Sequence, residues 1–566
     1  MGYPADANPF AWPGNYVQFG SYRLWDTTDV SWSYIQRVGP QQIERVHRTH
    51  GVVTVTTVDD HGMLPRASAI TVAINGVTDP SFDGSFKVSA VLGPRSFTFS
   101  QDQPNAYSEG GTELASDWTV LDGAVAKARD KQTLYTFGAV PLWATKSTPA
   151  KIPVDYTNHL GTTFTVTTRG PHPFHFNSGD AQWVKLKDTP DHFLDGIYLL
   201  QGVPNDQQLT FQGPSSLPSG IRGGEVQIFD RGGGADFHLV PGTRIPYSPS
   251  AGMEPDPELF RNFVDTVISR YCGCTRESLP GMRIDGYETW NEPNITAEHG
   301  SGASFFVPDH GRSVQDSAAA MVPLAQIVWT EVRRIDPKAI VVSPSATGDL
   351  TGNGVAWLNA FLQDGGGRYF DVLGYHLYVS KQPPEAMLPV IQEVRRTLQA
   401  HNLSTPIWNT EVGWGGNQVI PAGAAAGYVA RTYLLNWAAG VQRVYWYQWN
   451  NQCWVKLRMT SGPLPAPQCN DSRQPTGITP AATAYQEVSQ WMVGSSLKRC
   501  ASQDDVWICQ IRLHDGKSGH IVWRTTGSSL FDIPKEWNSH QLTDLTGARQ
   551  SVATQVPIGS SPILLD

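Results

Sequence analysis

The chain has 566 residues, 40% of them hydrophobic and 16% charged, with 54 Gly and 41 Pro. At roughly 150 residues per domain this length holds about three to four domains, and its Gly and Pro content lies below the ~25–30% of low-complexity disorder. A net charge of −9 without a basic run excludes an electrostatic footprint for nucleic acid, and no apolar stretch reaches the ~18–20 residues of a membrane span.

The first residues, MGYPADANPF, lack a basic segment followed by an apolar core, so an export signal has been removed or was never present. Residues up to 20 hold too much Pro and Gly to predict a strand. Beyond them, VVTVTT (52–57) and AINGVTDPSFDGSFKVSAVLGPRSFTFS (73–100) parallel TFTVTT (163–168) and KLKDTPDHFLDGIYLLQGVPNDQQLTFQ (185–212). The offset is 111 residues at the first strand and 112 at Asp83-Gly84 against Asp195-Gly196. Alternating Val, Thr and Phe with Asp-Gly turns predict two copies of a small antiparallel β-sandwich or barrel.

Around these copies the rhythm changes. A helix is expected over 121–131, a buried strand over 133–144, and a helix over 256–271 begun by Asp256 and Pro257. Strands over 281–294, 339–348, 369–379, 406–415 and 441–450 then alternate with helices near 314–335, 385–401 and 422–439. Repeated βα units predict a parallel barrel or a doubly wound sheet. After a helix near 482–493, VWICQIRL, HIVWRTT and VPIGSSPILL read as a terminal β-domain. Both copies interrupt the βα series after a strand end, on the face where barrel enzymes carry their chemistry. The expected division is a discontinuous barrel over 1–40, 117–150 and 239–490, inserted β-modules over 41–116 and 151–238, and a C-terminal β-sandwich-like domain over 491–566.

Six cysteines permit three disulfides, and Cys453 with Cys469 and Cys500 with Cys509 are spaced for local bridges. Cys272 and Cys274 lie two apart without further ligands at metal-binding spacing, so no metal and no cofactor are expected. His172 and His175 in PHPFHF read as packing or turn residues.

Two glutamates carry the chemistry. Glu292, in YETWNEPN, falls at one strand end, and Glu411, in WNTEVGW, falls at another 119 residues later. Hydrolysing a glycosidic bond takes one carboxyl to protonate the leaving oxygen and a second to attack or to activate water. The 19 Trp, 19 Tyr and 21 Phe suit a sugar substrate, whose apolar faces pack on flat rings, as well as they suit large cores. In GYHLYV, His376 and Tyr378 share a face by period-two alternation and are placed to orient Glu411 or to bind hydroxyls; a buried, satisfied histidine is the competing assignment. Trp449 near the last strand's end fits an aromatic floor for a sugar, with Trp446 pointing the other way; Trp290 and Trp414 suit the core equally well.

YETWNEPN, with WNTEVGW downstream and RLWDTTDVSW upstream, resembles the clan of retaining (β/α)8 glycoside hydrolases. The likeness is greatest to family 39, which includes β-xylosidases and bacterial exopolysaccharide endoglycosidases. The resemblance implies an α/β fold, a TIM barrel here carrying the two inserted modules. It further implies Glu292 as acid/base, Glu411 as nucleophile, Asn291 as a ligand of the sugar 2-hydroxyl and Arg23 as the strand-two arginine beneath the nucleophile. Glu288 reads as a secondary binder or a buried partner. The expected activity is retaining, endo-acting cleavage of a β-linked poly- or oligosaccharide outside the cytoplasm, by a secreted or periplasmic protein. The alternative is a non-catalytic polysaccharide-binding or cell-surface protein that keeps the barrel as a scaffold. The doubled β-insertion sets the chain apart from simple xylosidases.

Overall fold

A computed structural model describes residues 17, 19–25, 30–65, 69–172, 182–190, 194–213, 219–230, 250–296, 305–348, 353–379, 382–415, 420, 421, 423–447, 457–461 and 477–566. The chain divides into two compact units, one built mainly from 23–344 and 360–370, the other mainly from 345–359 and 371–566.

In chain order the βα series begins with β1 (Ser21–Leu24), α1 (Thr119–Lys127), β2 (Gln132–Thr136), α2 (Pro257–Tyr271), β3 (Gly286–Glu288), α3 (Val314–Ile335) and β4 (Ile340–Val342). It continues with β5 (Ala346–Thr347), α4 (Gly354–Gln363), β6 (Leu373–His376), α5 (Met387–Ala400), β7 (Ile407–Val412), α6 (Ala425–Ala438), β8 (Arg443–Trp446) and α7 (Pro480–Met492). Strands β1-β2-β3-β4 form one sheet, with β3 parallel to both neighbours. Strands β5-β6-β7-β8 form a second, wholly parallel sheet. Side-chain caps mark the starts of α2 and α3. Asp256 accepts the amides of Glu258 and Leu259 ahead of Pro257, and Ser313 with Asp316 closes a capping box on α3.

Two expected strands are broken. The run 133–144 stops at Thr136, because Gly138 (φ +148°) and Ala139 (φ +49°) turn the chain before the short strand Val140–Pro141 and a 3₁₀ turn. The run 339–348 is divided around Pro344 into β4 and β5, which join different sheets.

Between β1 and α1, strands Gln41–Thr49, Val52–Thr57, Ser96–Ser100, Gly84–Gly93, Ile70–Asn75 and Thr112–Asp117 pair in a closed antiparallel ring, with Ala106–Ser108 beside it. Between β2 and α2, Ile152–Leu160, Thr163–Thr168, Gln208–Gln212, Gly196–Asn205, Gln182–Lys187 and Glu225–Asp230 close the same ring in the same order. Each ring has its own apolar centre, with Phe97 and Phe99 in the first where Leu209 and Phe211 stand in the second. Polar details recur too. Asp83 Oδ1 accepts the Val77 amide and Asp195 Oδ1 that of Thr189; the amide of buried His61 bonds the Pro94 carbonyl, and that of buried His172 the Asp206 carbonyl. Both rings interrupt a strand-to-helix connection and join neither parallel sheet.

The tail forms a six-stranded sheet, Ser496–Gln503, Val506–Arg512, Ser518–Arg524, Ile563–Leu565, Gln541–Thr543 and Arg549–Ser551 in spatial order. One face shares a core with α6 and α7, where Leu434, Leu435, Val488 and Trp491 meet Ile511, Ile521 and Trp523. The run VPIGSSPILL divides into Gln555–Ile558, paired with Ser529–Asp532, and Ile563–Leu565 in the larger sheet. Cys500 and Cys509 are cross-strand neighbours joined by a disulfide, with Asp504 and Asp505 at positive φ in the turn between them. Cys272 and Cys274 form a second disulfide. Cys453, Cys469 and His175 lie outside the described residues.

One difference between the rings has a measurable consequence. Where the second ring carries the buried Val226 opposite Leu186, the first carries Glu113 opposite Ile74, and Glu113 is 1% exposed with no hydrogen-bond partner for its Oε2 among the described residues. Burial pushes the Glu113 carboxyl up to about 8. The folded chain therefore holds a proton that the unfolded chain releases above its ordinary carboxyl value, so this contribution is full below about pH 4.5 and is lost as pH climbs to about 8. Urea unfolding across that window should show falling stability for the natural chain and a flatter profile for Glu113→Gln, with the variant ahead by a few (~3) kcal/mol at the upper end.

Candidate active site

The first group of site residues is built around β3. Glu288, its last residue, is fully buried and accepts hydrogen bonds from Arg23 Nε on β1 at 2.6 Å and from Thr136 Oγ1 on β2 at 2.5 Å. The same guanidinium donates to Asn291 Oδ1 at 2.9 Å. A buried cation thus binds the strand to the loop that follows it, and orients Asn291 with its Nδ2 unpartnered among the described residues. The next turn is pinned from several sides. Thr289 N–H bonds the Val342 carbonyl of β4, Trp290 Nε1 bonds the Phe305 carbonyl, and Ser317 Oγ of α3 bonds the Pro293 carbonyl. Glu292 is held within this turn at φ +45°, a left-handed conformation that a residue with a Cβ adopts only when its surroundings enforce it. Its side chain is 6% exposed. Proline at 293 and the Ile295 amide, which bonds back to the Glu292 carbonyl, complete the enforcement.

The second group is built around β7, buried along its whole length. Glu411 is 5% exposed, and Tyr378 Oη donates to its Oε1 at 2.7 Å. The ladder explains the aim. Tyr375 of β6 stands opposite Asn409, yet His376 stands opposite Glu411, so β7 carries one extra residue between them. Against β8 the same stretch gains one residue between Asn409 and Val412. A bulge of this kind re-aims the side chains beyond it. Here it sets Glu411 abreast of His376, whose ring lies 6.4 Å from that of Tyr378. Thr410, within the bulge, shares a hydrogen bond with Ser345 Oγ at 2.7 Å. Past the strand, a Cβ on Gly413 would lie 1.7 Å from the Tyr447 carbonyl oxygen, so only glycine lets the two strand ends approach.

The structure brings Arg23 and Asn291 together in the first group and His376, Tyr378 and Glu411 in the second. Trp449 lies outside the described residues. Trp290 and Trp414 are each 1% exposed; Trp290 packs on Phe306, and Trp414 stacks on Trp446. Glu288 is the buried partner rather than a group open to a ligand. The residues that sequence reasoning passed over are polar ones in buried strands, Thr136, Asn409 and Thr410, and Ser345 just before β5. Their signal was polarity at inward-facing positions next to the glutamates, which period-two counting alone obscures when a bulge intervenes. Removing Glu288 leaves a buried guanidinium without its carboxylate, so Glu288→Ala should lower unfolding stability by about 3–5 kcal/mol in chemical denaturation, against less than about 1 kcal/mol for an exposed pair.

Residues 289–461 match the family model described as the glycosyl hydrolase catalytic core. No curated protein sequence matches the chain. Among solved structures, a family 39 glycoside hydrolase from Bacteroides cellulosilyticus is similar at 12% identity and a TM-score of 0.42, over 90% of this chain and 96% of that one. A family 39 β-xylosidase from Caulobacter crescentus is similar at 15% identity and a TM-score of 0.36, over 56% and 73% of the two chains. The catalytic domain of a family 30 xylanase C from Talaromyces cellulolyticus is similar at 12% identity and 0.37, over 79% and 78%. Over residues 289–461, the stretch that holds both Glu292 and Glu411, this chain is similar to the catalytic cores of glycosyl hydrolases.

Proposed function

We propose that the chain is a retaining glycoside hydrolase of the family 39 type that cleaves β-glycosidic bonds of a poly- or oligosaccharide, acting within the polymer. The observation that carries this reading is the state of the two glutamates within the matched core. Each is nine-tenths or more buried; Glu411 lies within the C-terminal end of parallel strand β7 and Glu292 in the turn that follows parallel strand β3, at the strand ends where barrel enzymes place catalytic groups. The reading takes the fold to be a (β/α)8 barrel over 1–40, 117–150 and 239–490, with the rings within 41–116 and 151–238 as inserted modules and 491–566 as a C-terminal β-domain. The two disulfides support an oxidising, extracytoplasmic setting. Among the described residues no helix is long and apolar enough to cross a membrane.

The reaction runs in two displacements. The Glu411 carboxylate attacks the anomeric carbon as the bond to the leaving oxygen breaks, and Glu292 gives that oxygen its proton. Glu292, now a base, takes a proton from water; the water oxygen attacks the anomeric carbon, and Glu411 departs as carboxylate. Tyr378 steadies Glu411 in its ionised form by donating to it. Asn291, held by Arg23, presents its amide to the 2-hydroxyl, and His376 and Trp449 complete the sugar-binding surface.

The roles separate in mutants. Glu411→Ala should abolish turnover, with azide restoring some activity and yielding a glycosyl azide of inverted configuration. Glu292→Ala should spare the first step for aryl glycosides with good leaving groups and yield the azide of retained configuration. Opposite stereochemistry in the two variants would exchange the roles, full activity in both would move the active site elsewhere, and a natural chain without glycosidase activity would leave the binding-scaffold reading. A crystal structure of a glycosyl-enzyme or inhibitor complex should place the two carboxyls about 5–5.5 Å apart; about 6.5–9.5 Å would make the enzyme inverting.

A further inference from the structure

The bulge in β7 is held by a side chain that the mechanism does not use. Asn409 and Asn436 are fully buried. Asn409 Oδ1 accepts the amide of Leu377 at 3.2 Å, an amide that also reaches the Glu411 carbonyl at 3.2 Å. Asn409 Nδ2 donates to Asn436 Oδ1 on α6 at 3.3 Å, and Asn436 Nδ2 in turn donates to the Thr432 carbonyl at 2.8 Å. The chain of hydrogen bonds therefore runs from the body of a helix to the one amide that lies between His376 and Tyr378.

Its position matters because of what a bulge costs. The extra residue removes one regular ladder contact and leaves the neighbouring strand end held by fewer hydrogen bonds. An apolar residue at 409 would leave the Leu377 amide only the Glu411 carbonyl, and the end of β6 would be free to slip back into the unbulged register. In that register His376 faces Thr410 and Glu411 faces Leu377, so Tyr378 no longer lines up with the carboxylate.

We infer that Asn409 is a positioning residue: by accepting the Leu377 amide while anchored to Asn436, it holds the bulge that sets Glu411 abreast of His376 and under the Tyr378 hydroxyl. The inference rests on the reading of Glu411 as the nucleophile only for its kinetic consequence. The geometry is tested without it.

The experiment compares the full chain with Asn409→Leu, Tyr378→Phe and the double variant. On an aryl β-glycoside that the natural chain cleaves, Asn409→Leu should lower kcat about 100-fold, the scale of loss from ångström misplacement, while KM stays within about threefold. In the Tyr378→Phe background the same substitution should cost less than about threefold, because both changes remove one interaction. Hydrogen exchange of the peptide covering 373–379 should quicken at Leu377 in Asn409→Leu and stay as in the natural chain in Tyr378→Phe. If Asn409→Leu does not fold, Asn436→Ala removes the anchor alone and should quicken the same amide with a loss of about 10-fold in kcat. Unchanged exchange at Leu377, or a kcat loss of equal size in both backgrounds, overturns the positioning role. A natural chain that cleaves no glycoside overturns the reading of Glu411 instead, and the exchange measurement then decides the role of Asn409 by itself.

Discussion

Charge withdrawn from water has to be matched by donors built into the frame, and both groups of site residues are organised around that constraint. Glu288 would be costly in the middle of a parallel sheet without Arg23 and Thr136. Once those donors are in place, the guanidinium has capacity left and spends it on Asn291. Glu411 receives the Tyr378 hydroxyl. The polar interior is therefore connected rather than scattered, and each strand end inherits its orientation from the neighbour that satisfies it. A substitution that looks structural reaches Glu411 from Tyr378 through one hydrogen bond, and Asn291 from Glu288 through two by way of Arg23.

Local backbone distortion accompanies this matching in both places. Glu292 sits at positive φ, and β7 carries one residue more than the strands beside it. Neither feature is favourable alone. Each is over-determined by contacts from several elements, which is the circumstance under which strain persists at functional sites. The two β-rings show the opposite economy. Their strand order, turn chemistry and even the backbone bonds of His61 and His172 repeat, so they fold by local rules that tolerate insertion between a strand and its helix.

Much of this was legible in the amino-acid order because it depends on near neighbours. The capping signal at Asp256 and the Asp-Gly turns of the rings are read within a few residues, and the corresponding elements lie where those signals put them. WNEPN and WNTEVGW mark strand ends for the same reason. The breaks within 133–144 and 339–348 were missed because apolar runs conceal where backbone dihedrals change. Positive φ at Ala139 is not written in its side chain. The bulge was invisible because it is a property of three strands compared, not of one. The partnership of Arg23 with Glu288 spans 265 residues, which no local pattern encodes.

Burial argues further about which polar residues answer to function. Some buried polar groups of the second unit are explained by the backbone they satisfy, as Thr432 is by the Tyr428 carbonyl one helical turn away. Asn409 cannot be explained that way, because a regular strand would leave its side chain no backbone amide to bind and an aliphatic residue would pack there at no polar cost. Its acceptor reaches the Leu377 amide, beside the Glu411 carbonyl, where the strand is bulged, and the bulge is useful only where it turns Glu411. The requirement thus runs backwards from the carboxylate to the ladder, and from the ladder to an asparagine that touches neither solvent nor sugar.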